Sequence, residues 1–356
     1  MAPEGLVEHA DPIPFALSER LDHPALDPSL LAMSGLEQVR TNIRGDGTLA
    51  PISVLLGMRP IEADCGSAVF AMPASAWFDG PDGRPQPGVL APLADAAHSA
   101  AIATALPPGN ALATLCLTLS YVARPPEPAE QLVCTARLSP PGVVEGVPAH
   151  SGAEIVDEHG SILARSTARC AVYPIPGVQG GGSAGDHTGK ARPVGKPAPP
   201  AAGSEARGAR VPADEWERTS GADVLARLSA GTPPLPPIQH LTGLRVASGG
   251  EGRARFELPA SGWVSSLLRQ VQGGALAMLA EAALDGAVLS TLDAAGARDT
   301  VELRIDFLRK VPASGELMVA DASLSQRGRN FAFGACSVSS EKRGTVATAA
   351  SVHRVL

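Results

Sequence analysis

The stretch QGGALAMLAEAA, Gln272–Ala283, opens with two glycines, continues as small apolar residues and carries one acid, Glu281. A helix that is apolar on every side must be covered on most of them. A carboxylate inside it is desolvated unless it is hydrogen-bonded, and burial raises its pKa. Glu281 lies about two turns into the helix, too deep to serve as a partner of the N-terminal dipole. It therefore reads as a candidate general base or nucleophile.

The same stretch has a counterpart earlier in the chain. Residues 34–139 can be laid on 220–325 at a constant offset of 186. GSAVFAMPASAWFDGPDGRPQPGVLAPLADAA (66–97) and GRARFELPASGWVSSLLRQVQGGALAMLAEAA (252–283) align without a gap, with 15 of 32 positions identical. Phe70/Phe256, Trp77/Trp263 and Gly88/Gly274 are among the matches, and Asp95 stands where Glu281 stands. Agreement of this length means two copies of one unit.

Each copy reads as α+β. A short helix begins near Ser34 or Ser220. Strands are expected near 52–58 and 66–73, or 238–246 and 252–259, and then the long apolar helix, about 88–105 or 274–292. Alternating segments such as LATLCLTLSYVA and TVELRIDFLR supply three closing strands. A curled antiparallel sheet would cover the helix. Domain boundaries follow at 1–173 and 213–356. Residues 174–212, rich in Gly, Pro and Ala, read as a disordered linker whose Lys190, Arg192, Lys196, Arg207 and Arg210 are solvated.

Composition narrows the class. The chain has 356 residues, a hydrophobic fraction of 44% and a net charge of −7. That acidity argues against non-specific nucleic-acid binding. The five cysteines are scattered and form no CxxC, so neither a disulfide framework nor a zinc site is expected. MAPEGLVEHADPIPF has early acids and no apolar core, and no run of 18 apolar residues occurs. The expectation is a soluble, cytoplasmic protein with no membrane span.

QGGALAMLAEAA followed by TVELRIDFLRKV resembles the hot-dog thioesterases of the phenylacetate-pathway and 4-hydroxybenzoyl-CoA type. Their pattern is His-Gly-Gly, apolar residues, Asp or Glu, then a strand ending Phe-Leu-Arg. The resemblance covers both copies and implies two hot-dog domains fused as a pseudo-dimer. It also implies hydrolysis of an acyl-CoA thioester without a metal or redox cofactor. A second sheet-to-sheet pairing, into a homodimer of pseudo-dimers, is left open.

The resemblance implies an oxyanion donor at the N–H of the first glycine, which is Gly273 in one copy and Pro87, with no N–H, in the other. Eight helical residues span about 12 Å, so acid and donor of one copy cannot both reach one carbonyl. The site must be shared. Site one pairs Asp95 with Gly273, with Gln272 in place of the family's His and Ser99 one turn beyond the acid to orient water. Site two pairs Glu281 with Pro87 and Gly88, has Gln86 at the family's His position, and has Asp285 where site one has Ser99. Site one is expected to be the working site. His98, near Asp95, reads as a core or surface residue. Ser266 and Gly80 occupy a position that is polar in the family. Arg124, Arg304, Arg309 and Lys310, with the helix-start glycines Gly88 and Gly274, are candidate contacts for CoA. The competing readings are a non-catalytic acyl-CoA binding protein and a dehydratase or hydratase of the same fold.

Overall fold

The computed structural model describes residues 14–18, 30, 32–124, 131–144, 146–175, 205–208, 210–231, 235–294 and 297–356. Lys190, Arg192 and Lys196 of the expected linker lie outside the described residues.

Six strands belong to the first repeat: β1 Arg59–Asp64, β2 Ser67–Pro73, β3 Asn110–Tyr121, β4 Gln131–Leu138, β5 Ala149–Val156 and β6 Ile162–Pro174. Six belong to the second: β7 Arg245–Gly250, β8 Arg253–Pro259, β9 Arg298–Phe307, β10 Leu317–Arg327, β11 Phe331–Ser340 and β12 Gly344–Val355. Apart from two four-residue helices, Phe15–Ser18 and Ala213–Trp216, and short 3-10 turns, the helices among the described residues are α1 Gly35–Arg44, α2 Pro51–Leu56, α3 Leu90–Ala103, α4 Gly221–Ser229, α5 Pro237–Thr242 and α6 Gly273–Leu289.

All twelve strands form one sheet in the order β1-β2-β4-β5-β6-β3-β9-β12-β11-β10-β8-β7. The second half is the first half reversed. The seam is the antiparallel pair β3–β9, in which Thr118 faces Arg304, Leu117 faces Ile305 and Leu119 faces Leu303. Thr118 and Arg304 are themselves equivalent positions, so a pseudo-twofold axis passes between them. The sheet curls around α3 and α6, which are buried on nearly every face. Each fully buried Leu there contributes about 2 kcal/mol of transfer free energy.

Two expectations need correction. The segments expected as first strands, near 52–58 and 238–246, begin instead as helices α2 and α5. Pro51 and Pro237 stand at the first helical position, and Gly57 (φ 70°) and Gly243 (φ 79°) close the helices in the left-handed region. In the apolar run ISVLL all residues but the partly exposed Val54 are buried, so burial overrides its β-forming residues. The first strands β1 and β7 follow these turns. Each repeat also ends with four strands rather than three. Asp157 accepts the N–H groups of His159 and Ser161, and Gly160 takes φ 81°, which folds 149–174 into a hairpin. The turn before Gly344 (φ 64°) does the same for 331–355.

α1 starts on a capping box in which Ser34 and Glu37 bond each other's backbone. Ser220 caps α4 through the N–H of Asp223. Near the end of the segment expected as linker, Arg210 pairs with buried Asp79 at 2.6 Å, and the Val211 N–H donates to Pro81 O. No helix among the described residues is long and apolar enough to cross a membrane.

Candidate active site

α3 and α6 cross where their first turns meet. A side chain at Gly274 would put its Cβ 2.4 Å from Pro92 Cα, so glycine is what lets the helices approach. The crossing brings the acid of each repeat to the helix start of the other.

Asp95 on α3 is 3% exposed. Its Oδ2 accepts the backbone N–H of Gly274 at 3.0 Å, and the Gly273 amide also faces this carboxyl. Its Oδ1 accepts the hydroxyl of Thr114, on β3, at 2.8 Å. Burial raises the Asp95 pKa above the ordinary carboxylate value, and these donors oppose the rise. The positive end of α6 faces the carboxylate from across the repeat boundary. Gln272 donates to Pro92 O at 3.1 Å. A Cβ at Gly273 would meet Asp95 Oδ2 and Phe307 Cζ, each at 3.1 Å.

Asp95, Thr114, Gln272, Gly273 and Phe307 line a cavity of about 560 Å³ whose walls are mainly apolar. Asp95, Ser99 and Ala103 follow one side of α3 along it, and Gln272, Gly273, Leu276 and Phe307 face them. Ser266 also lines it, and Arg309 and Lys310 contribute to its wall. Arg309 donates to Arg343 O and Thr345 O, and Lys310 sits 4.5 Å over the Tyr173 ring and bonds its hydroxyl.

The related arrangement at Glu281 has different surroundings. Its Oε2 accepts the Gly88 N–H at 3.2 Å, its Oε1 accepts the Thr300 hydroxyl at 2.7 Å, and it is fully buried. Burial, with the negative charge of Asp285 adding to it, pushes the Glu281 carboxyl up to about 8. Asp285 is paired with Arg298, whose Nε lies 2.7 Å from Oδ1. Oxygen or nitrogen atoms of Glu281, Asp285 and His353 lie within 4.8 Å of one another. Arg298 already supplies the positive partner of Asp285 in that cluster. The adjoining pocket, about 220 Å³, is lined by Pro87, Tyr121, Thr300, Arg124, Asp299 and Arg354.

The structure thus brings Asp95 to Gly273, Gly274 and Gln272, and Glu281 to Gly88. Ser99 lines the first cavity, but the hydroxyl bonded to Asp95 belongs to Thr114. His98 faces away, held between Ser151 (2.7 Å) and Ser166 (2.9 Å) and pushed down to about 3 by burial. The four cations do not converge. Arg124 is bound to Asp299 and Asp82 at the second pocket. Arg304 pairs with Asp306 at 3.1 Å and lines neither cavity. Thr114 and Thr300 went unread in the sequence. Their one signal is that each follows its acid by 19 residues, at the repeat offset of 186.

No protein-family model matches the chain, and no curated protein does. Solved structures do. A hot-dog-fold protein of unknown function from Alicyclobacillus acidocaldarius aligns with TM-score 0.50 and 16% identity, over 86% of this chain and 97% of that one. The tesB protein of Mycobacterium avium subs. paratuberculosis aligns with TM-score 0.50 and 10% identity, over 87% and 100%. The acyl-CoA thioesterase II of Mycobacterium marinum aligns with TM-score 0.47 and 13% identity, over 86% and 98%. The mirrored strand order, the two central helices and the first two of these alignments together identify the chain as a double hot-dog protein, two repeats closed into one pseudo-dimer.

Proposed function

We propose that the chain hydrolyses an acyl-CoA thioester to a free acid and CoA, at the site shared by Asp95 and Gly273. The observation that carries this reading is a buried carboxylate lining an apolar cavity, 3.0 Å from a backbone amide at the start of the opposing helix. The thioester carbonyl would lie against the Gly273 N–H, where the helix start stabilises charge developing on oxygen. Asp95 then takes a proton from water as the oxygen attacks the carbonyl carbon. Direct attack by the carboxylate, followed by hydrolysis of the anhydride, is the other route open to it. Collapse of the tetrahedral intermediate breaks the C–S bond, and the proton passes to the leaving thiolate. Thr114 holds the carboxylate in place, Ser99 orients the water, and Gln272 is placed to assist at the carbonyl. Arg309 and Lys310 offer charge to the CoA phosphates. His98, turned to Ser151 and Ser166, gives no support to a His-dependent dehydratase.

Thiol release from short, long and aromatic acyl-CoAs by wild type, Asp95→Asn and Glu281→Gln tests the reading. Loss of activity in Asp95→Asn alone is expected. Loss in Glu281→Gln alone moves the chemistry to the other site, and binding without turnover makes the protein an acyl-CoA carrier.

A further inference from the structure

The two repeats cover their central helices with the same element, docked at the same point. A Cβ at Gly35, at the start of α1, would lie 1.9 Å from Ala103 O, and a Cβ at Gly221, at the start of α4, would lie 1.9 Å from Leu289 O. Beyond this pivot the covering faces diverge. On α4, Val224, Leu225 and Leu228 are buried in the core. The equivalent residues of α1 are Gln38, Val39 and Asn42, and all three line the 560 Å³ cavity beside Asp95. Two aliphatic side chains of one repeat are thus replaced by two amides in the other, on the wall of a mainly apolar chamber.

The Gln38 Nε2 donates to Met33 O at 3.2 Å, and the polar groups that Gln38 and Asn42 still present on this wall form further hydrogen bonds only with water or with a polar ligand. A chamber meant for plain alkyl chains has no use for them, and the second repeat shows that the position takes Val and Leu. We infer that the cavity accepts acyl groups carrying a hydrogen-bonding oxygen or nitrogen function away from the thioester, met by Gln38 and Asn42. This rests on the thioesterase reading for its reaction and on the cavity alone for its ligand class. Asp95, Ser99 and Ala103 line about 12 Å of α3, so the acyl group has room to extend past the reacting carbon.

The test compares CoA esters of equal chain length with and without a hydroxyl or oxo group along the acyl chain. Wild type, Gln38→Val, Asn42→Leu and the double variant are assayed by thiol release. The same esters are titrated by calorimetry into Asp95→Asn with and without the double substitution. Wild type should favour the oxygenated esters roughly tenfold in kcat/KM, the size of one satisfied hydrogen bond. The double variant should lose that preference, its kcat/KM for the oxygenated esters falling to the value for the plain ones. Equal rates in wild type, or a preference that survives the double substitution, overturns the inference and leaves the thioesterase reading intact. If no ester is hydrolysed, that reading fails, and the calorimetric preference still decides the ligand class: retained in Asp95→Asn and abolished by the double substitution, or absent.

Discussion

Asp95 of the first repeat accepts the backbone N–H of Gly274 of the second, at 3.0 Å, and the pseudo-twofold axis repeats the relationship between Glu281 and Gly88, at 3.2 Å. Neither acid finds its backbone donor within its own repeat. The electrostatics of each acid depends on how the two helices cross, so small changes at the crossing act on both stability and chemistry.

The two glycines of α6 separate those effects. Gly274→Ala drives a Cβ to 2.4 Å from Pro92 Cα and 2.6 Å from Ala91 O, backbone atoms that can move only with their helix. It should cost about 1–3 kcal/mol, as overpacking of a core does, seen as a lower denaturation midpoint. Gly273→Ala meets Asp95 Oδ2 and Phe307 Cζ at 3.1 Å, side-chain atoms with some freedom. It should leave the midpoint within about 1 kcal/mol of wild type and reduce thiol release by at least tenfold, because the methyl group stands between the acid and the cavity.

Thr114 supplies the hydroxyl that most strongly stabilises the charged form of Asp95. Thr114→Val keeps the shape and removes the donor. The Asp95 pKa, already raised by burial, should rise further. A base must be deprotonated to act, so the acidic limb of kcat/KM moves to higher pH. A pH–rate profile reads this directly. A uniform drop with an unmoved limb would assign Thr114 to packing alone.

Glu281 predicts how stability varies with pH. Its folded pKa, pushed up to about 8, exceeds the ordinary value of 4.5. Its contribution is therefore fully present below about 4.5 and is lost as pH rises through about 8. His98 and His353, pushed down to about 3 and about 4, act in the opposite sense below pH 6.5. The buried thiols of Cys134, Cys170 and Cys336, pushed up to about 12, act only above pH 9. Between pH 7 and 8.5 the fall should come from Glu281. Melting temperatures over that range should decline in wild type and stay flat in Glu281→Gln. Parallel slopes would mean that Glu281 is ionised throughout.

The sequence made much of this arrangement legible because the repeat offset could be checked position by position. Asp95 and Glu281 stood out as acids in apolar helices, and the reach of a helix already required that each site be shared. What it hid was decided by tertiary packing. ISVLL has the composition of a strand, and only the proline before it and the glycine after it, enclosed by the core, make it a turn of helix. Thr114 and Thr300 look like ordinary strand residues until the helices are laid on the sheet. Gln38 and Asn42 gained meaning only beside Val224 and Leu228, once the cavity showed which faces of the covering helices were equivalent.

Asp285 and Arg298 give the last prediction. Ser99 and Leu112, their equivalents in the first repeat, line the large cavity, whereas Asp285 and Arg298 fill the corresponding space with an ion pair. The Arg298 side chain is 6% exposed, so removing its partner leaves a buried, uncompensated charge. Asp285→Ala should destabilise the chain by about 3–5 kcal/mol. The double substitution Asp285→Ser with Arg298→Leu installs the residues of the first repeat and removes both charges together. It should recover most of that loss, because replacing both members of a buried pair by groups that need no partner is close to neutral. It also removes the negative charge beside Glu281, so the Glu281 pKa should fall even as the loss of Arg298 works against that fall. Chemical denaturation of the single and double variants measures the coupling. Additive losses would show that the pair contributes little and that the space is held by its neighbours.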